Sequence, residues 1–376
     1  MAQLTLWTLP LNLPNPYPYY LQFLTSERDG RLYYSKYIVD VIGELTVGTH
    51  TNNVREWEIP HAFYSAPYGN PIGITRGPKK TVWFLLESGQ RLVELDPGNG
   101  QFTAYGEGEF PFHYPRHLAF DRYGSLWYTG AGRIGGLVGR LDRARRSVTF
   151  WELPRQLLRP EGIWVESTGR SVWFTPVYGD PCEPGALLGR LIPATNTLTI
   201  WTYPPTWRVS RSAGVAGNLF GKSGNIWFTY DGSGPASRVF RLHYPSGTIF
   251  EYAPKFAAPR SIVLDTKGNA WIGHWIEKVS LIKKNADCGT ISLPSYTLQV
   301  TPSRMRVKPR TKAVTPMVHS VIPEERQILF NTENCYRDYI LPRDVHSHGI
   351  ALTSRQELLP PVYFTSGGHQ LGRLTP

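Results

Sequence analysis

The segment DVHSH at residues 344–348 carries the densest set of side chains suited to metal or acid–base chemistry. Residues alternate across a strand, so His346 and His348 would face one side of it. Two imidazoles so placed suit zinc, copper or nickel, with Asp344 and His274 as further donors and Glu161 reaching in from across the same opening. The bland counterpart is a solvated polar rim that holds no ion. His348 could alternatively act as a general base, because imidazole titrates near neutrality.

Two further sets are cationic. Arg116, His117 and Arg260 would suit a carboxylate, phosphate or sulfate group, or the arginines would simply pair with Glu161. In SRMRVKPRTK at 303–312, Arg304, Arg306, Lys308, Arg310 and Lys312 occupy alternate positions. On one extended strand they would all point the same way, a ridge able to follow a polyanion or an acidic protein surface. An ordinary solvated hairpin face is the alternative. No RNA-binding aromatic signature accompanies the ridge, so sequence-specific nucleic-acid reading is not supported.

Composition frames these sets. The chain has 376 residues, 41% of them hydrophobic, with a net charge of +11. Such a balance points to an anionic partner or to scattered surface charge. The 36 glycines and 32 prolines are spread along the chain, as expected for many short strands and turns. The cysteines are Cys182, Cys288 and Cys335. None has CxxC spacing, and an odd count makes no complete disulfide framework, though Cys288 and Cys335 flank one segment and could pair. The N-terminal MAQLTLWTLP lacks a basic region, so no signal peptide is expected. No apolar run is long enough to span a membrane. A cytoplasmic location, or a place in a larger assembly, is expected.

What must position the chemical residues is a repeat. KTVWFLL, GSLWYTG, RSVWFTP, GNIWFTY and GNAWIGH align on Trp83, Trp127, Trp173, Trp227 and Trp271, with Tyr33 and Tyr363 in that place elsewhere. An apolar segment precedes each aromatic, as in RPEGIWVE. A G-R-L strand follows, as in LLGRLIP. Then comes a fourth strand such as TFWELP or TIWTYP. Four short strands per unit is a β-propeller blade. Blades are expected at roughly 20–60, 69–106, 112–154, 158–204, 213–254 and 258–342, with the last from 344. That last blade lacks its fourth strand at the C-terminus, and LTLWTLP at residues 4–10 supplies it. The expectation is an all-β chain: a single seven-bladed β-propeller domain over 1–376 with four-stranded blades, closed by its N-terminal strand. An insertion at about 285–331 interrupts the sixth blade and is expected to form a hairpin. The tyrosines Tyr17, Tyr19 and Tyr20 fall in the linker after the closing strand.

RPEGIWVESTGRSVWFTP, GNIWFTYDGSG and LLGRLIPATNTLTIWTYP resemble the virginiamycin B lyase (streptogramin lyase) family. The resemblance implies this propeller, and an enzyme that opens a cyclic depsipeptide by elimination with a divalent metal and a general base. It implies a site where first strands begin and second strands end. There the family pattern places a His in one blade; the next blade carries a carboxylate two residues before a second His, and a carboxylate at its second-strand end. His348 fits the second His. His346, Ser366 and Arg260 stand where the two carboxylates and the first His would be. A cation at Arg260 opposes a metal, so the elimination chemistry is expected to be absent or arranged differently. The reading is therefore a rigid binding module that contacts a protein or other macromolecule, anionic by preference, through its polar face or basic insertion. A metal-assisted lyase or hydrolase at the channel mouth is the alternative. No cofactor is expected, and a divalent metal is the alternative that the histidines admit.

Overall fold

The computed structural model describes residues 2–10, 21–26, 30–47, 52–65, 67–106, 114–132, 135–144, 146–157, 159–176, 185–203, 214–217, 224–231, 237–253, 258–274, 278–332, 336–342, 350–352, 362–366 and 370–376. Among them regular structure is all strand, apart from three single-turn 3-10 segments. Seven antiparallel sheets form a seven-bladed propeller. Blades I to VII follow the chain from Leu21, with blade VII made of Ile350–Leu352, Val362–Ser366, Gln370–Thr375 and the N-terminal Ala2–Thr8. Leu4 lies opposite Leu374 and Leu6 opposite Gly372, so the two chain ends close the ring in register.

The repeated phrase is explained by the way each blade packs. The second-strand tryptophan is fully buried and stacks on a fourth-strand aromatic: Trp127 on Trp151 at 5.7 Å, Trp173 on Trp201 at 5.5 Å, Trp227 on Tyr252 at 5.5 Å. The arginine of G-R-L lies directly opposite that tryptophan and covers its ring, as Arg140 does over Trp127 and Arg190 over Trp173. This is a cation–π contact on an otherwise apolar stack. The glycine is required by crowding. A Cβ at Gly139 would sit 2.0 Å from the ring of Tyr128. The leucine enters the core between blades: Leu141 and Leu191 are both fully buried.

Each blade has its four expected strands and carries a fifth, which comes from the insertion. Instead of one hairpin, the segment between Ile282 and Tyr336 gives one outer strand to every blade. Thr290–Ile291 pairs on blade V, Ser295–Gln299 on IV, Pro302–Arg306 on III and Pro309–Ala313 on II. Met317–Val321 then pairs on I, Pro323–Ile328 on VII and Phe330–Thr332 on VI. The chain then supplies Tyr336–Ile340, the fourth strand of blade VI, opposite Lys278–Ile282. It has run once around the ring, against the direction of the blades.

Sheet twist makes such a belt feasible. Adjacent strands rotate by roughly 20–25°, so four steps turn the fifth strand about 80–100° from the first. A first strand running along the channel is thus matched by a fifth strand running around the rim. The belt has a seven-residue period. Its inward residues are Ala286, Leu293, Val300, Val307, Val314, Val321 and Ile328, and each joins a different one of the seven clusters between blades. Seven extended residues span roughly 23 Å, the step from one blade's rim to the next. Three anchors donate N–H to the turn between third and fourth strands: Val300 to Asn196, Val307 to Arg146 and Val314 to Gly100, each at 2.9 Å. Each of these acceptors has positive φ, a turn conformation that aims its carbonyl outward at the belt.

Candidate functional site

At the channel mouth the first strands begin opposite the ends of second strands. Pro71 lies opposite Leu86, Pro160 opposite Pro176, and Pro259 opposite His274. Arg116 and Arg260 are both partly shielded there, and both have acidic neighbours. Arg116 Nη1 is 3.9 Å from Glu87 Oε1, and Arg260 Nη2 is 3.5 Å from Asp231 Oδ2. In each case the acid follows the second strand of the preceding blade, so one ion-pair arrangement is used twice. The tyrosine of blade I joins the first pair: the Tyr37 hydroxyl donates to Glu87, and burial followed by that carboxylate pushes its pKa up. The arginines expected to form a cationic patch or to meet Glu161 have Glu87 and Asp231 beside them. The Glu161 backbone carbonyl accepts a 2.8 Å hydrogen bond from Thr129 Oγ1.

Neither histidine described at this end presents a free metal-binding face. His117 is partly buried, and loss of hydration, with Arg116 adding, pushes its ring down to about 4. His274 is wholly buried, not on an open rim. Its Nε2 lies 2.8 Å from Ser280 Oγ, which donates to Asp338 at 2.6 Å, and Lys278 closes on the same carboxylate at 2.6 Å. Burial, with Lys278 adding, holds His274 well below the usual histidine range. It is therefore neutral and part of a packed polar network. Asp344, His346 and His348 lie outside the described residues, as do Tyr17, Tyr19, Tyr20, Cys182 and Cys335. Among the described residues no group of three or more His, Cys, Asp or Glu side chains could hold a metal ion. In the described part of the mouth the arginines lie beside acids, and the histidines are partly or wholly buried.

The basic insertion is better defined. Arg304, Arg306, Lys308, Arg310 and Lys312 are all exposed, but they do not form one face. Arg304 and Arg306 lie opposite Thr149 and Ser147, on the face of blade III that bears Trp151. Arg310 and Lys312 lie opposite Ala104 and Phe102, on the face of blade II that packs toward blade I. The cause is the belt's odd period. Alternation runs unbroken within a strand, but the chain turns a corner at Val307, so the sense of alternation is reset. What results is an arc of cations around the rim. Two concavities lie along it. One of about 690 Å³ is lined by Arg146, Arg306, Val307, Lys308 and Pro309. Its neighbour, about 510 Å³, is lined by Ser147, Arg304, Met305 and Arg306. Among the described residues no carboxylate pairs with Arg304, Arg306 or Lys308, and no carboxylate lines either concavity. Arg146, the turn residue that accepts the belt's Val307 N–H, carries no local sequence signal for this place; its position beside the ridge depends on the belt's path.

Comparison with solved structures agrees on the fold. A streptogramin B lyase matches over 99% of this chain and 98% of its own, at 18% identity and a TM-score of 0.64. A catalytically inactive virginiamycin B lyase from Staphylococcus aureus, solved with quinupristin, matches over 99% of both chains at 16% identity and a TM-score of 0.67. The C-terminal WD40 domain of Sif2 matches at 9% identity with a TM-score of 0.51, over 95% of this chain and 97% of its own. At such identities the likeness is one of fold. No curated protein sequence matches the chain. The sequence model of the virginiamycin B lyase family matches residues 11–280, most of the propeller up to the point where the belt begins. The chain belongs to the virginiamycin B lyase family.

Proposed function

We propose that this protein is a rigid binding module that holds an anionic macromolecule against its outer rim. The observation that carries this reading is the rim concavity of about 690 Å³ in which Arg146, Arg306 and Lys308 converge with no carboxylate among the described lining residues. Three cations around one hollow raise the local potential and favour a dense negative charge. Arg304 beside Arg306 extends that field along the belt. Both strands that carry the cations are anchored in the interblade cores through Val300, Val307 and Val314, so the charges are held on a fixed frame. Binding to a fixed frame loses less conformational entropy than binding to a loop.

Retention on immobilised heparin, read as the eluting salt concentration, tests the proposal. Arg306→Glu with Lys308→Glu should elute at markedly lower salt. A binding constant measured against salt should lose roughly 0.7–0.9 of log–log slope per contact removed. Equal retention of variant and wild type would refute the rim as the binding surface.

A second reading is a lyase or hydrolase at the channel mouth, favoured by membership of the family. It would rest on His346 and His348. Replacing both with Ala while assaying depsipeptide opening separates the two readings, because the rim variants should leave any such activity unchanged.

A further inference from the structure

The belt makes one complete circuit, and its seven-residue period gives the length of that circuit. Anchors run from Ala286 to Ile328 in steps of seven, one for each cluster between blades. One more step after Ile328 arrives at residue 335, which is forty-nine residues past Ala286, or seven blades at seven residues each. A chain that repeats its step at every blade is then back at the angle from which it set out. The described neighbours agree. Tyr336 lies directly opposite Ile282, the last strand residue before the belt departs. By this count the residue due at the close of the circuit is Cys335, and the residue two places past the first anchor is Cys288.

Cys288 is exposed and is half of a disulfide. The remaining cysteine, Cys182, precedes the blade IV strand Ala186–Ile192. Ala186 lies opposite Thr202, whose N–H donates to Pro294, the belt residue that meets this end of blade IV. Pro294 is six residues beyond Cys288, roughly 20 Å along extended chain. A disulfide holds its two Cα atoms within about 4.4–6.8 Å.

We infer that Cys288 and Cys335 are joined, so that residues 288–335 form a covalent hoop encircling all seven blades. In forming it the two thiols release two protons and pass two electrons to a disulfide oxidant, which leaves as two thiols. Reduction by an added phosphine or dithiol reverses the step through the exposed Cys288 sulfur. The hoop has a mechanical consequence that a local crosslink would lack. Every blade contributes a fourth strand hydrogen-bonded to the belt, so no blade can move outward unless the belt lengthens or peels. With the ends joined, peeling has no free end from which to start. The propeller would then be locked in an oxidising setting and released in a reducing one.

The first test is proteolysis of the full chain without reduction, followed by mass spectrometry. A linked peptide pair containing Cys288 and Cys335 is expected. A pair joining Cys288 to Cys182, or alkylation of Cys288 before any reductant is added, would overturn the inference. The second test measures the folded-to-unfolded ratio in denaturant with and without phosphine. For a closed loop of 48 residues, opening should lower that ratio by roughly a thousandfold. Cys335→Ser should reproduce the reduced state and Cys182→Ser should not. Where Cys335→Ser fails to fold, reduction of the wild type carries the comparison. Hydrogen exchange supplies the signature of a hoop: on reduction, protection should fall in the belt strands of every blade from Thr290 to Thr332. Loss confined to blades V and VI would show a local crosslink and overturn the lock.

Discussion

The belt's anchors can be weighed one at a time, and Val307 is the sharpest case. It is buried, in the cluster that holds Trp83, Tyr105, Leu141 and Val148, and its N–H donates to Arg146 at 2.9 Å. Val307→Ala keeps the backbone bond and removes two buried methyl groups. Their transfer contributes about 1.6 kcal/mol. The space they leave adds a cavity penalty of order 1 kcal/mol, because a close-packed interblade cluster collapses only in part. The expected loss is about 2–3 kcal/mol, read as a lower urea midpoint at unchanged m-value. Lys308→Ala, one residue away and exposed, should stay within about 0.5 kcal/mol. Val300→Ala should be of similar size, and the double variant additive within about 0.5 kcal/mol, because Val300 sits in a separate cluster. Val314 is only partly buried, so its truncation should cost less. If Val307→Ala costs no more than Lys308→Ala, the belt merely lies on the rim, and the seven-residue period has no energetic meaning.

Other consequences can be measured separately. Removal of residues 1–10 takes away Ala2–Thr8, which sits between Gln370–Thr375 and Pro323–Ile328. Both blade VII and the belt then lose a partner, and the melting temperature should fall sharply; unchanged melting would contradict ring closure by this strand. Gly139→Ala places a methyl group 2.0 Å from the Tyr128 ring and should cost about 1–3 kcal/mol as overpacking, read by the same denaturation. The pH dependence has a definite sign. Burial pushes His117 down to about 4 in the folded protein from near 6.5 when unfolded, and burial lowers His274 too. As pH falls below 6.5 the unfolded chain takes up protons that the folded chain refuses. Stability should therefore decline from about 6.5 to about 4, by up to about 1.4 kcal/mol per pH unit for each group. His117→Asn should flatten part of that slope in a urea series, and an identical slope would contradict burial of its ring.

Much of the propeller is legible in the chain because its cause is local. Trp83, Trp127, Trp173, Trp227 and Trp271 recur since each blade repeats one packing problem with one solution. The G-R-L arginine and glycine recur with them, to cover one ring and make room for another. The closing strand at Leu4–Pro10 is readable for the same reason, since it is the fourth-strand phrase that the C-terminal blade lacks. The belt is different. Its V-x-P triplets at 300–302, 307–309, 314–316 and 321–323 stand in the sequence at a spacing of seven. A seven-residue apolar period normally signals a coiled-coil helix, and four prolines forbid one here. The spacing acquires meaning only beside seven blades whose rims are seven extended residues apart.

The candidate site divides along the same line. Charge, and the identity of the cations from Arg304 to Lys312, are properties of the sequence alone, and so is the seven-bladed scaffold. Which face each cation takes was decided by tertiary structure, because alternation holds only while a strand is straight, and the belt turns at Val307 between Arg306 and Lys308. The same holds for Arg116 and Arg260, which meet Glu87 and Asp231 from neighbouring blades, and for His274, withdrawn into a network with Ser280, Asp338 and Lys278. Residues far apart in the chain acquire their partners from the closing of the ring, and no local spacing encodes that. What the chain encodes locally is a blade repeated seven times; what only the closed ring decides is which charges meet partners from other blades and which side of the rim each belt cation takes.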